Sequence, residues 1–551
     1  MMSGQQPVFV LQEDTERERG EDAQKNNISA TKAIANAVRS TLGPKGMDKM
    51  LVDSLGDVVI TNDGVSILNE IDIEHPAAKM LVEVAETQEE ECGDGTTSGV
   101  VLAGELLKRS EDLLDKLHPS TIASGYRMAA DKASQILEEM KEPIDVDDRE
   151  MLESIASTAM TGKSIELDKE DLAEVSVDAV QHVVEETEEG YRVDMDNIKI
   201  ENEPGATVDQ THMVDGIILD KEKLHENMPK EVEDAKIALL DTALEVQETE
   251  MDASIEITSP DQLQQFVDEE EESLKKMVQT VEDSGANVLL CQKGIDDLAQ
   301  HYLAKKGIFA ARRVKKSDMK KLAKATGGNV VNNLNDLSGE DLGESDRLHE
   351  KSISGSKMTF VEGTEEGKAV SILLRGGTEH VVDELERAIE DAIKVVAVAI
   401  EDGAILPGGG ATEIELSSRL KEEVGKIDGR KQISFEAFAD SLDIIPRTIS
   451  ENGGLDGIDV LMDLTTMHEK EDKTHYGVNI ETEEKENMID SGIVEPYRVK
   501  NQALKSATEA ANMILRIDDV IASKGGDEGG GPPAGGGAPG GMPGGGMPGM
   551  M

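Results

Sequence analysis

The string Gly93-Asp94-Gly95-Thr96-Thr97-Ser98-Gly99 joins two stretches of helical periodicity and carries more chemistry than any other part of the chain. Gly93 and Gly95 let backbone approach a ligand closely, and the N–H groups of Thr96, Thr97 and Ser98 open a helix whose dipole favours an anion such as a phosphate. An aspartate beside a polyphosphate needs a cation. A hard carboxylate that leaves the ion several waters is the usual holder of Mg²⁺, so Asp94 is the expected metal ligand. An ordinary N-cap Asp followed by capping hydroxyls accounts for the same string.

Two further loops have the same character. Thr41-Leu42-Gly43-Pro44-Lys45-Gly46 closes a helical stretch in a Gly/Pro turn, and Pro407-Gly408-Gly409-Gly410-Ala411 brings bare backbone to the start of another. Alone, each reads equally as a C-cap or a plain turn. Asp391 lies in the helical run Leu385 to Val396, among Ile389, Ala392, Ile393 and Val396, while Asp63 sits in an Asn-Asp-Gly turn that already explains it. The functional reading of both is a carboxylate that polarises an attacking water, because phosphoryl transfer mainly needs positioning and charge stabilisation.

Other motifs drop out. Thr161-Gly162-Lys163-Ser164 looks like the end of a P-loop, but position 157 is Ser157 where that motif needs Gly. His225, His349 and His468 are each followed by Glu without continuing to the zinc-hydrolase pattern, so locally bonded or solvated histidines are expected.

The elements that must position these residues fall into three kinds. DVVITNDGVSIL, from Asp57 to Leu68, alternates on either side of Asn62-Asp63-Gly64 and predicts a two-strand hairpin, followed by a long helix from Pro76 to Glu91. Ile28, Ala33, Ile34, Ala37 and Val38 near one end, and Ala503, Ala507, Ala510, Ala511, Ile514 and Ile517 near the other, repeat at helical spacing. The centre reads as α/β: IKIE, GIILD, KIALLD, ANVLLCQ, IFAARRV, GGNVV and KAVSILLRG are strand-like runs between helical patterns such as Ile295 to Lys305 and Met319 to Lys324. Met251 to Ser284 interrupts that alternation. Ser259-Pro260-Asp261-Gln262 reads as a helix start, and Leu263, Phe266, Leu274, Met277 and Val281 follow at helical spacing, so a helical element projects from the α/β part. The stretch from Gly525 is Gly, Pro and Met without periodicity and is expected to be a flexible tail. The nucleotide-type loops stand near both ends of the chain; if they form one site, the terminal segments fold together and the α/β centre is an insertion.

Composition narrows the rest. The 551 residues hold 56 Lys+Arg against 114 Asp+Glu, a formal charge of −58, which opposes any general grip on nucleic-acid phosphates. Acidic residues are spread along the whole chain, a pattern that fits a salty cytoplasm, where the Debye length falls to ~3 Å at 1 M; a merely acidic protein is the alternative. Hydrophobic residues make up 38% with only 2% aromatic, so the cores must be aliphatic. Cys92 and Cys291 give no disulfide framework and no metal spacing, which fits a reducing compartment. The short apolar stretch Val8 to Leu11 has no basic leader, and the longest apolar run, Val395 to Ile400, is too short for a bilayer, so a soluble, cytoplasmic protein with no membrane partner is expected.

The strings TLGPKGMDKML, TNDGVSIL, GDGTTSGVVLAGELL, KIALLDTALEV, ILPGGGATEIEL and SGIVEPYRVKNQALKSATEAANMILRIDDVI together resemble the chaperonin family, specifically its group II (thermosome-type) archaeal branch, from about Asn26 to Ser523. The resemblance implies a multi-domain α and α/β fold: equatorial domain 1–145 and 406–524, intermediate domain 146–214 and 370–405, and an α/β apical domain 215–369 carrying a helical lid at about 244–284, with a tail at 525–551. It implies ATP and Mg²⁺ as cofactors, with Leu42, Gly43, Pro44, Gly95, Thr96, Thr97 and Ser98 around the phosphates and Asp94 on the metal. Asp391 matches the carboxylate that activates the hydrolytic water, assisted by Asp63; Lys163 matches a γ-phosphate sensor; Gly408, Gly409, Asn479 and Glu495 match the adenosine side, with Glu495 longer than the Asp of bacterial relatives. The implied activity is ATP-driven folding of non-native polypeptides inside a stacked double ring of like subunits. A nucleotide-binding ring or scaffold without client folding is the competing reading, and a small-molecule kinase or ligase lacks any second pocket signature.

Overall fold

Alanine, valine and leucine at three- and four-residue spacing give both ends of the chain helices with one continuous apolar stripe, and these stripes meet in a single core. In the computed structural model, which describes residues 15–52, 56, 58–163, 169–188, 190–246, 260–364, 367–471 and 473–523, helices Glu21–Arg39, Pro76–Cys92, Thr96–Leu114 and Pro119–Met140 pack with Ala411–Glu423, Lys431–Ser441, Ile444–Asn452 and Tyr497–Leu515. Leu106, Leu107, Ile122 and Tyr126 are fully buried there beside Phe435, Phe438, Ala507 and Ala511. A fully buried Leu or Phe contributes roughly 1.5–3 kcal/mol. Close helix contact depends on a missing side chain: a Cβ at Gly104 would stand 2.3 Å from that of Ala35. The two chain ends therefore do fold together, and the centre is inserted between them.

The second core is built on helix Glu379–Asp402, packed against Arg149–Met160 and Lys169–Val183 and against a sheet in which Val370–Gly376 runs parallel to Ile198–Pro204 and antiparallel to His212–Val214. The strand-like runs of the centre are strands. Glu231–Leu240 pairs in parallel with Val288–Cys291, which carries Phe309–Ala311; its other edge pairs in parallel with Val330–Val331 and antiparallel with Gly343–Ile353, beyond which Ser356–Glu362 and Gly216–Leu219 follow in antiparallel register. Parallel strands covered on both faces must be apolar throughout, and Val288 to Cys291 are all buried.

Helix Pro260–Asp283 is amphipathic only along its second half. Leu274, Val278 and Val281 enter the core of the α/β part, while Phe266 and Val267 are exposed. Residues 251–259, with the expected cap at Ser259, lie outside the described residues, as do Val8 to Leu11 and the Gly/Pro/Met stretch from Gly525.

The hairpin expected across Asn62–Gly64 is not formed. Val58–Thr61 pairs upstream with Lys49–Val52, and Gly64–Glu70 is a helix for which Asp63 is the N-cap, its Oδ2 accepting from Ser66 N at 2.8 Å. The same alternation buries Ile67 and Leu68 as neighbours on a helix against the core, and the Asn-Asp-Gly signal is here a helix start. The C-terminal helix ends at Leu515, so Ile517 is not on its face. Residues 15–24 and 517–523 form a separate small unit in which Thr15–Arg19 pairs antiparallel with Asp519–Ser523. No helix among the described residues is long and apolar enough to cross a membrane.

Candidate functional site

Three backbone turns and two helix starts enclose a cavity of about 310 Å³ between the first two cores, within the size range of small-molecule sites. On one side, helix Pro76–Cys92 ends on Gly93 in the left-handed region (φ 71°), and Gly95, also left-handed (φ 81°), starts Thr96–Leu114 without any side-chain cap. Among the described residues no side chain caps the first amides of that helix, and its first residues Thr96, Thr97 and Ser98 line the cavity, a ready anion site. Gln88 pins the loop, donating to Asp94 O at 2.7 Å and to Val499 O at 3.1 Å, and a Cβ at Gly95 would stand 2.9 Å from Gln88 Nε2.

Asp94 Oδ1 accepts from Gly95 N at 2.6 Å. Among the described residues no cationic side chain pairs with it, and burial pushes its carboxyl above the usual carboxylate range, only partly opposed by that bond and by the more distant Lys163 and Lys500. The Thr96 hydroxyl stands 3.5 Å from Asp63 Oδ1. Opposite, Lys163 and Asp391 form a buried ion pair. Burial works against the Lys163 charge, but Asp391 and then Asp63 and Asp94 outweigh it and hold its pKa above that of a free lysine. For Asp391, burial pushes the carboxyl up and Lys163 pulls it back, while Glu89 and Asp63 push it further; the net direction is up.

The turn Leu42-Gly43-Pro44 follows helix Glu21–Arg39 and is held by Asn452, whose Nδ2 donates to Arg39 O and Leu42 O at 3.0 and 2.8 Å. Asn62, beside Asp63, holds the turn after helix Arg149–Met160 by donating to Gly162 O at 2.5 Å. The far wall is the hairpin Tyr476–Asn479/Glu484–Asn487 against Gly409, with Val478 N donating to Gly409 O at 3.0 Å. The Asn479 side chain is engaged inside that hairpin, accepting from Glu481 N at 2.9 Å and donating to Glu486 at 2.5 Å. Glu495 lies on the strand paired with Ala404–Pro407 and meets Lys500 at 2.9 Å.

Of the expected site residues, Leu42, Gly43, Pro44, Asp63, Asp94, Gly95, Thr96, Thr97, Ser98, Lys163, Asp391, Gly409, Asn479 and Glu495 all line this cavity; Gly408 stands one residue outside it, its N donating to Ile493 O at 2.8 Å. Lys500 and Lys169 line it too, and the sequence reading gives neither a role. Lys169 pairs with Glu481 at 3.1 Å.

A family model for the TCP-1/cpn60 chaperonin family matches residues 34–525. The chain belongs to that family. It is 59% identical to "Thermosome subunit beta" of Archaeoglobus fulgidus over 94% of this chain and 95% of the relative, and 57% identical to "Thermosome subunit beta" of Thermococcus kodakarensis over 94% and 95%. A solved structure described as the open state monomer of a group II chaperonin from Methanococcoides burtonii is 44% identical, with a TM-score of 0.59 over 77% of this chain and 100% of that one. The chain is thus a group II chaperonin subunit, an ATP-dependent chaperone that acts in protein folding and hydrolyses ATP.

Proposed function

We propose that the cavity is the ATPase site of this chaperonin. The observation that carries this is the uncapped start of helix Thr96–Leu114 facing the Lys163–Asp391 pair, with Asp94 between. Gly95, the amides of Thr96 to Ser98 and the turn Leu42 to Pro44 cradle phosphates. Asp391 takes up the hydrolytic water with Asp63 assisting, Lys163 reads the γ-phosphate, and Gly408, Gly409, Asn479 and Glu495 hold the adenosine, Asn479 through its backbone. Asp94 is a carboxylate without a counter-charge, which fits one hard cation. Because no cluster of three His, Cys, Asp or Glu surrounds it among the described residues, Mg²⁺ held there would draw its remaining ligands from phosphate and water and offset phosphate charge.

The domains we assign are equatorial 1–145 with 406–524, intermediate 146–214 with 370–405, and apical 215–369 with a lid at about 244–284; the separate helical and α/β cores support this division. Clients bind exposed apolar groups on the apical part, and two stacked rings of such subunits close around them in the cytoplasm. The acidic chain fits concentrated salt. ATP hydrolysis in molar KCl with Mg²⁺, read together with native mass and an Asp94→Ala control, tests the reading. Turnover in a very large assembly, lost in the control, is the expected result; turnover that survives Asp94→Ala removes the metal assignment, and an inert monomer at every salt concentration removes the site.

A further inference from the structure

Lys500 is a lysine in the first turn of helix Tyr497–Leu515, where a solvated side chain is ordinary, yet it is buried. Its ammonium stands 2.8 Å from Glu413 Oε1 and 2.9 Å from Glu495 Oε1, and all three side chains are at most one-fifth exposed. Glu413 comes from the first turn of helix Ala411–Glu423, and its second oxygen is buried without a hydrogen-bond partner among the described residues. One ammonium therefore balances a buried and a partly buried carboxylate brought from two different elements. Behind them lies a void of about 30 Å³ lined by Glu413, Glu495 and Lys500, enough for one water or for a carboxylate to turn into.

We infer that Lys500 is a positioning residue that sets nucleotide specificity: by holding Oε1 of Glu495 it aims the other oxygen of that carboxylate into the cavity, where it accepts from a ribose hydroxyl. Glu495 by itself would not hold this pose. Without the ammonium, the Glu413 and Glu495 carboxylates are left beside each other without a shared cation, and Glu495 is free to turn into the void; burial already works against its charge, and Lys500 opposes that. A hydrogen bond from a hydroxyl to an ionised acceptor is among the stronger ones, and its loss leaves a buried charge unpaired. The inference rests on the reading of the cavity as the nucleotide site.

The test is the ratio of dissociation constants for ADP and 2′-deoxy-ADP, and for ADP and 3′-deoxy-ADP, measured by calorimetry on the assembled full-length protein. A general loosening of the site weakens all three nucleotides alike and leaves the ratios unchanged. The unmodified protein is expected to prefer ADP over at least one deoxy analogue by roughly tenfold or more. Glu495→Gln and Lys500→Met are both expected to reduce that preference to about twofold or less. Lys500→Met/Glu413→Leu leaves a single carboxylate at the spot, guards against a variant that fails to assemble, and is expected to lose the preference as well. If the Lys500 variants keep the preference that Glu495→Gln loses, Lys500 does not position Glu495 and the inference falls while the site stands. A preference unchanged in Glu495→Gln removes the ribose contact itself, and the inference with it.

Discussion

Lys163 and Asp391 stand 228 residues apart in the chain and meet as a buried ion pair, joining the turn after helix Arg149–Met160 to the middle of helix Glu379–Asp402. On the proposed roles they cannot both act while they hold each other. Lys163 has to transfer to a phosphate before the Asp391 carboxylate is free for water. Hydrolysis is thereby tied to a shift of the element that carries Lys163, and a nucleotide changes the conformation only by the difference in its affinity for the two arrangements.

Asp391→Ala is expected to keep ATP binding and to slow turnover by about 10²–10⁴-fold, the usual worth of a positioned general base. Single-turnover hydrolysis alongside nucleotide titration separates the two quantities. Normal turnover in this variant would end the catalytic assignment.

Lys163→Ala is expected to leave ATP binding largely intact and to impair ring closure, read as protease protection of the apical part with and without ATP. It also strands a buried carboxylate, which destabilises by about 3 kcal/mol where a buried pair is broken from one side. A variant that closes normally removes Lys163 from the coupling.

Gly95→Ala meets two obstacles at once. The position is left-handed, and the added Cβ would press within 2.9 Å of both Gln88 Nε2 and Val499 Cγ1. A drop in stability of about 1–2 kcal/mol and a loss of nucleotide affinity well beyond it are expected, because the loop and the amides behind it move together. Unchanged nucleotide affinity would show that those amides do not hold the ligand.

Much of this was legible in the residues. Gly93 to Ser98 announced an open helix start, and the loops at both chain ends pointed to one site closed around an insertion. Asn62-Asp63-Gly64 misled because a turn signal and an N-cap signal use the same residue types, and only the upstream partner strand Lys49–Val52 decides between them. Lys500 was invisible for a different reason. One of the glutamates that neutralise it, Glu413, comes from another helix, and no local spacing encodes that meeting.

His468 gives a case where pH reports on the fold. Its side chain is fully buried, Nδ1 2.8 Å from Glu415 Oε2 and Nε2 2.7 Å from Tyr476 O, so it fastens the hairpin that lines the cavity to helix Ala411–Glu423. Burial works against the Glu415 carboxylate, but hydrogen bonds from His468 and Arg419 outweigh it and hold its pKa below the ordinary value of 4.5. A depressed carboxylate contributes stability that is fully present above its ordinary pKa and is lost as pH falls through the lower folded value. Glu415→Gln is therefore expected to be less stable than the unmodified protein by about 2 kcal/mol at pH 7, with the gap in urea midpoint shrinking only below about pH 4.5. A gap that instead closes between pH 6 and 8 would assign the effect to another group.

The three-stranded sheet under the cavity joins Glu142–Pro143, Ala404–Pro407 and Val494–Pro496, which has a consequence for the order of events on the ribosome. The strands between Gly216 and Glu362 find all their partners among themselves and can assemble as soon as they emerge. The floor of the cavity lacks its last strand until residue 496 is made, so a nascent chain carries a finished α/β part for the time needed to add more than a hundred residues before the proposed nucleotide site is complete. Any arrest of synthesis in that interval yields a product with a folded α/β part and an unfinished cavity.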